Sequence, residues 1–119
     1  MNTKAPMKHV PKGWGWELHI HNTPEYCGKL LFMFAGKKFS WHYHVLKDET
    51  FYIQSGKVKL SYGDTDDISH ASELILEKGM SFHIYRGLRH RICALKDSEI
   101  FEFSTQDFNS DSIRIIQGD

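Results

Sequence analysis

The sequence has little cysteine and no long apolar run, and each shortage excludes a class of protein. Two cysteines, Cys27 and Cys93, are too few for a disulfide framework, so we expect free thiols. No segment approaches the roughly 20 apolar residues needed to span a bilayer, and residues 1–10 have no apolar stretch of signal-peptide length. These features predict a cytoplasmic protein.

An excess of charge of either sign is missing as well. The chain has 15 basic and 15 acidic residues, and no block of like charge interrupts the mixture. Proteins that bind nucleic acid or an anionic membrane surface concentrate positive charge on one face or in one segment. We therefore expect a small molecule as the partner, with no nucleic acid and no membrane.

Short β-type segments fill most of the sequence. A chain of 119 residues has the length of a single domain. Its residues are 40% hydrophobic and 13% aromatic, which can supply a compact core. Turn-forming residues recur at short intervals, and no convincing amphipathic helix lies between them. Strands are predicted at 15–21, 29–35, 39–45, 50–54, 57–62, 73–76, 81–84, 89–95, 100–105 and 112–116. This spacing predicts an antiparallel sandwich or barrel, and the jelly roll also encloses a small pocket.

One segment combines metal-binding side chains with flanking glycines. It runs Gly36-x5-His42-x-His44-x4-Glu49-x6-Gly56. Because side chains alternate along a strand, His42 and His44 project to the same face, and Glu49 can approach them from the next strand. The alternative is a chance pair of surface histidines beside a solvated acid.

A second segment supplies a further candidate ligand from far along the chain. It runs Gly79-x5-Tyr85-x-Gly87-x2-His90 and places His90 after a turn. Alone, His90 would be an ordinary strand histidine, so its assignment depends on the first segment. Three histidines and one carboxylate leave positions open on a six-coordinate ion for water or a chelating substrate.

These two segments resemble the two sequence motifs of the cupin superfamily. The first has the glycines, both histidines and the glutamate at the family's spacing. The second departs from the family, with Tyr85 in place of the usual proline and Ala94 in place of the usual asparagine. The resemblance implies a double-stranded β-helix barrel, one divalent metal ion (Fe, Mn, Ni, Co or Zn) held by His42, His44, Glu49 and His90, and a homodimer.

The layout of the whole chain resembles small cupins of the mannose-6-phosphate isomerase type. The resemblance runs from about residue 11 to residue 116, so we expect an N-terminal extension at 1–10 and a single cupin domain at 11–119. Many of those sugar-phosphate domains have glutamine where this chain has His42. Full metal ligation here therefore allows a different reaction.

Several residues are candidates for binding substrate or moving protons. By resemblance, Lys38 and Arg114 could meet a phosphate, although two solvated surface charges explain them equally well. Glu102, Tyr52 and Tyr85 are the candidates for proton transfer. Glu102 alternates with two phenylalanines that look core-facing, so it should point outward unless a bulge turns it inward.

Other histidines could imitate a metal site. His19 and His21 form a second pair on one strand, but we expect no acid or third histidine at matching spacing to complete a site with them, so an exposed strand face is predicted. His83 alternates with Phe82 and Ile84 and should also face outward.

Three functions remain open from the sequence. The first is isomerisation of a sugar, a sugar phosphate or a related hydroxy-carbonyl compound, and it is the leading prediction. The same ligand set suits an iron-dependent dioxygenase or a metal-assisted lyase. A metal- or sugar-binding module without catalysis is the third, because a fold alone does not establish an activity.

Overall fold

Eleven strands and two short 3-10 helices form the described part of the chain. The computed structural model describes residue 4 and residues 6–119. The strands are β1 (Lys8–Lys12), β2 (Gly15–Asn22), β3 (Cys27–Met33), β4 (Trp41–Tyr43), β5 (Glu49–Ser55), β6 (Lys57–Gly63), β7 (Ser72–Glu77), β8 (Ser81–Ile84), β9 (Arg89–Ala94), β10 (Ser98–Ser104) and β11 (Ile113–Ile116). The 3-10 helices span Ile68–His70 and Asn109–Asp111. The predicted all-β jelly-roll class is confirmed.

The strands form two antiparallel sheets that face each other. The six-stranded sheet has the order β1-β2-β3-β10-β5-β8, and the five-stranded sheet has the order β11-β4-β9-β6-β7. Strands distant in sequence are neighbours, so β10 lies between β3 and β5, and β9 lies between β4 and β6. The β4–β9 pairing puts His42 directly opposite His90. The two sequence segments thus meet within one sheet.

A hydrophobic core lies between the sheets. Along β3 and β5, buried and less buried residues alternate, which is the period-two pattern of strands with one face in a core. Completely or almost completely buried side chains in this core include Met33, Phe51, Ile53, Val58, Leu60, Ile84, Ile92 and Ile100. Aromatic side chains of this core lie against the metal-ligand candidates, because Phe39 and Phe51 both contact the ring of His90.

The sequence analysis did not predict β1. Lys8 to Lys12 pair with Gly15 to His19 at the free edge of the six-stranded sheet. Pro11 and the flanking lysines weakened the strand signal, yet proline and lysine are tolerated on edge strands because one side of the strand makes no ladder hydrogen bonds. The expected domain start at residue 11 falls inside this strand.

The remaining strands follow the predicted segments with shifts of a few residues. The largest difference is at β4, which ends at Tyr43, so His44 already lies in the connection that follows. Cys27 and Cys93 are free, as expected. No helix within residue 4 and residues 6–119 has the length and apolar character to cross a membrane.

Candidate metal centre

Three imidazole rings converge between the two sheets. His42 comes from β4, His90 from β9 and His44 from the connection after β4. One ring nitrogen of each lies within 4.8 Å of those of the other two. The ring centroids of His42 and His90 are 4.3 Å apart, and those of His42 and His44 are 4.9 Å apart. At these distances the three rings can each direct one nitrogen at a common metal ion.

Each ring is oriented by a hydrogen bond to a main-chain carbonyl. Nδ1 donates from His42 to Ser40 at 2.8 Å, from His44 to Asp111 at 3.1 Å and from His90 to Leu88 at 2.9 Å. A neutral imidazole that donates through Nδ1 keeps a lone pair on Nε2. In metalloproteins such hydrogen bonds select the tautomer that ligates the ion. The three rings therefore present Nε2 as the available donor atoms.

Glu49 adds an oxygen to the three nitrogens. It opens β5, is 2% exposed, and brings Oε2 to 3.1 Å from Nε2 of His44. Within the described residues, Glu49 Oε2 and His90 Nε2 are buried side-chain atoms without a hydrogen bond of acceptable geometry. Leaving such atoms unsatisfied costs about 1–3 kcal/mol each. A divalent cation would satisfy both, so this donor set of nitrogen and carboxylate oxygen fits one.

The protonation states also suit a cation. Burial, together with the neighbouring His90 and His44, holds the pKa of His42 well below its ordinary value. Burial lowers the pKa of His90 to about 4. Although burial opposes ionisation of Glu49, the charge of the nearby Lys47 lowers the pKa of its carboxyl. At neutral pH His42 and His90 are thus neutral and the carboxylate is charged, as ligation requires.

A buried lysine next to the centre was missed in the sequence. Lys47 is 4% exposed, and its Nζ lies 2.9 Å from Glu102 Oε2, 3.0 Å from Asp107 Oδ1 and 3.4 Å from Glu49 Oε2. Burial opposes its charge, but Glu102, Glu49 and Asp107 raise the pKa of the ammonium well above its ordinary value. A lone lysine in a loop carries no signal of burial, so only the fold reveals this cation.

Asp111 organises the connection that contains Lys47. Its carboxylate accepts hydrogen bonds from the main-chain N–H groups of Val45, Leu46 and Lys47, each at 2.9 Å. Its carbonyl also accepts the Nδ1–H of His44. One residue near the end of the chain therefore positions both a candidate ligand and the loop that follows it. The sequence analysis did not single out Asp111.

The centre opens into a cavity of about 490 Å³. His42, His44 and Glu49 line its floor, whereas His90 is completely buried behind them. Glu102 and Arg114 also line the wall. This volume lies within the range of small-molecule sites.

Glu102 faces the cavity, so its expected outward orientation is wrong. On β10, Ile100 and Glu102 are buried while Phe103 is 55% exposed. The register shift on this strand lies between Glu99 and Ile100, before Glu102. The alternation was correct, but the phenylalanines were assigned to the wrong face. Burial raises the pKa of Glu102 and Glu49 adds to the shift, although Lys47 opposes it.

The other candidates divide between the cavity and the surface. Arg114 is exposed and lines the cavity. Tyr52, Tyr85 and Lys38 are not among its lining residues: the Tyr85 hydroxyl hydrogen-bonds Asp64 on the exterior, and Lys38 Nζ lies 3.9 Å from an oxygen of Asp119. Tyr52 lies on the opposite side of β5 from Glu49. The geometry brings none of these three to the metal-ligand candidates.

Two of the histidines expected on exposed faces behave differently from each other. His83 is exposed and contacts Asp48, as expected. His19 instead lines the cavity and pairs with Glu17, an acid at matching spacing that the sequence analysis overlooked.

Comparisons with known proteins agree with this fold. Residues 31–103 match the model of the Cupin domain family. No curated protein matches the chain. The capsular polysaccharide assembling protein CapF from Staphylococcus aureus superposes with a TM-score of 0.82 at 19% identity, covering 97% of this chain and 33% of CapF.

Two further solved structures have the same fold. KdgF from Halomonas sp. has a TM-score of 0.73 at 16% identity, covering 92% of this chain and 95% of KdgF. A variant of oxalate decarboxylase from Bacillus subtilis has a TM-score of 0.77 at 15% identity, covering 96% of this chain and 33% of the decarboxylase. The chain spans about a third of the length of CapF and of the decarboxylase. At these identities the likeness shows the fold.

Acid should destabilise the metal-free protein. The pKa of His90 is about 4 in the fold against 6.5 as the ordinary value, so the unfolded chain binds a proton first as the pH falls. Stability present above about pH 6.5 should decline toward about pH 4, by up to about 3 kcal/mol from His90, and His42 shifts in the same direction. Urea unfolding with a chelator present, at several pH values, measures this.

Two variants distinguish the effect of the buried histidine on this pH dependence from the effect of an exposed one. His90→Leu should flatten the decline, whereas His83→Gln, which removes an exposed histidine, should keep the wild-type dependence. A wild-type free energy of unfolding that stays constant over this range would contradict the prediction.

Proposed function

This chain belongs to the cupin domain family, and we propose on that basis that it is a metal-dependent enzyme whose ion is held by His42, His44, Glu49 and His90. The observation that carries the proposal is the pair of buried, unpartnered atoms, Glu49 Oε2 and His90 Nε2, beside converging imidazoles. A fold without a ligand there would leave both atoms unsatisfied in its interior.

The proposed ligand set admits several divalent metals. Imidazole nitrogen with one carboxylate oxygen suits iron, manganese, nickel, cobalt or zinc. Solved structures of Bacillus subtilis oxalate decarboxylase, which share this fold, are described as having Mn(II) centres. A bound ion would act as a Lewis acid toward a substrate carbonyl and its neighbouring hydroxyl. The residues of the cavity would bind and orient that substrate and move its protons.

The proposed reaction is isomerisation of a sugar, a sugar phosphate or a related hydroxy-carbonyl compound. A cavity of about 490 Å³ with charged and hydroxyl groups on its wall suits a small, polar, hydroxylated molecule. Arg114 at the wall is the candidate for an anionic group on the substrate, and Glu102 is a candidate for proton transfer. The resemblance to cupins of the mannose-6-phosphate isomerase type supports this choice. Tyr52, Tyr85 and Lys38 take no part in it.

Removal of one imidazole should release the ion. His44→Ala should lose most of the bound metal while keeping its fold, because the ligand set loses a nitrogen and the cavity can admit water in its place. Elemental analysis of untagged protein, with circular dichroism as the check on folding, measures both.

A surface histidine supplies the matched control. His83→Ala should keep the wild-type metal content, since its ring pairs with Asp48 at the exterior. Full metal occupancy in a folded His44→Ala variant would count against the ligand assignment.

Turnover separates the proposed isomerase from its rivals. The wild-type protein loaded with each metal in turn should interconvert at least one aldose–ketose pair, free or phosphorylated, without consuming oxygen. Oxygen uptake would indicate the dioxygenase, and release of a fragment from a small carboxylate would indicate the lyase. Saturable binding without turnover of any compound would indicate a binding module and contradict the enzyme.

We further propose a homodimer formed through the outer face of the six-stranded sheet. Aromatic side chains stack there, with ring centroids 5.3 Å apart for Trp16 and Phe32 and 5.9 Å apart for Phe101 and Phe103. Phe103 is 55% exposed and Phe34 is 48% exposed. A contiguous apolar face of this kind is typical of an interaction surface.

A charge on this face should separate the protomers. Phe103→Glu should shift the protein from dimer to monomer in analytical ultracentrifugation, because the carboxylate would be desolvated at the interface. Ile75→Glu, at a 42% exposed position on the five-stranded sheet, should stay dimeric. A monomeric wild-type protein at micromolar concentration would refute the proposed dimer.

The proposed cytoplasmic location rests on the thiols. Cys27 and Cys93 are both unpaired, and unpaired cysteines are typical of reducing compartments.

A further inference from the structure

A carboxylate–histidine pair lies in the same cavity as the proposed metal ligands. Glu17 and His19 occupy alternate positions on β2 and project to the same face. Nε2 of His19 lies 2.7 Å from Oε1 of Glu17, and both side chains line the cavity together with His42 and His44. Neither residue belongs to the cupin motifs or to the metal-ligand set. Their function therefore needs a separate explanation.

The pairing determines which nitrogen of His19 can act as a base. Burial opposes ionisation of Glu17, but Lys29, the hydrogen bond to His19 and Lys12 together lower the pKa of its carboxyl. A charged carboxylate only accepts hydrogen bonds, so Nε2 of His19 must carry the hydrogen. The neutral ring then has its lone pair on Nδ1. No hydrogen bond joins that Nδ1 to any residue among 6–119.

Charged groups on both neighbouring strands surround the pair. His19 lies opposite Lys8 on β1 and opposite Lys29 on β3. Lys29 Nζ contacts Asp107 at 2.9 Å and Glu17 at 3.6 Å. The charged Glu17 beside the ring supplies a counter-charge to the imidazolium that forms when a proton arrives. A lone pair on His19 Nδ1 with the carboxylate of Glu17 at Nε2 is the arrangement of a general base with its orienting acid.

We propose that His19 is the proton-transfer residue of this cavity and that Glu17 is its positioning residue. The inference rests on the proposed function as a metal-dependent isomerase. Nδ1 takes a proton from the carbon that bears the hydroxyl next to the substrate carbonyl. The electron pair of that C–H bond becomes the C=C bond of an enediolate, while the carbonyl electron pair moves to oxygen.

The second half of the reaction restores the base. The imidazolium returns its proton to the former carbonyl carbon, and the hydroxyl proton passes from one oxygen of the enediolate to the other. No net proton, electron or leaving group is gained or lost, so no oxidant or co-reactant is required. On this assignment Lys47 positions Glu49 at the metal-ligand side of the cavity, and Glu102 positions Lys47.

Kinetics of two conservative variants test this assignment. His19→Gln should lower kcat by about 10²- to 10⁴-fold with KM changed less than about threefold, because it removes the base and keeps a polar side chain. Glu17→Gln should lower kcat by at least about tenfold and shift the acidic limb of the pH–rate profile, since the imidazolium loses its counter-charge. Metal content should equal that of the wild type in both.

His21→Gln is the matched control. His21 follows on the same strand but stacks on Tyr26, with ring centroids 4.0 Å apart, and does not line the metal cavity. It should retain the wild-type kcat. A His19→Gln variant with unimpaired turnover and full metal content would overturn the inference and leave the proposed isomerase standing.

A measurement independent of turnover is the tautomer of His19. Nitrogen-15 NMR of the imidazole, assigned with His19→Gln, should show Nε2 protonated in the wild type and lose that preference in Glu17→Gln. A ring protonated at Nδ1 in the wild type would overturn the role of His19 whatever the enzyme's activity. A protein that binds metal but isomerises none of the substrates would overturn the proposed function together with this inference.

Discussion

The hydrogen bonds from Nδ1 of three histidines to main-chain carbonyls are the interaction on which the candidate site depends. They select the tautomer of His42, His44 and His90, and they aim the opposite nitrogens at one another. Of these nitrogens, Nε2 of His90 is buried without a partner, and leaving a buried polar atom unsatisfied is costly. Burial also lowers the pKa values of His42 and His90, because desolvation disfavours the charged imidazolium.

A buried network of charges supports the carboxylate of the site. Lys47 lies among Glu49, Glu102 and Asp107, and Lys29 continues the network from Asp107 to Glu17. Each carboxyl group of the network lies beside one of its two ammonium groups, and such pairing reduces the cost of burying a charge. The network connects the proposed ligand Glu49 with the proposed positioning residue Glu17 along one wall of the cavity. The proposed metal binding and the proposed proton transfer would therefore share a single electrostatic environment.

Patterns in the sequence predicted the structure correctly where the structure depends on residues close together in the chain. The spacing of His42, His44 and Glu49 predicted their convergence, and Gly56 lies at φ 90° with the main chain of Asp97 and Ser98 where a Cβ atom would be, so only glycine suits that turn. Strand periodicity was less reliable where both faces of a strand are apolar. On β10 the phenylalanines lie on the outer face and Glu102 on the inner one, because the outer face is itself an apolar surface.

The sequence by itself determined the all-β class and the metal-ligand candidates, since both depend on residue type and short spacing. Only the tertiary structure decided which other residues reach the cavity. Lys47, Asp107 and Asp111 look like solvated loop residues, and Glu17 with His19 looks like an exposed strand face. Their burial and pairing arise from contacts between segments far apart in the chain, such as Lys29 with Asp107. The folded backbone brings those segments together, and no short-range pattern in the sequence encodes that proximity.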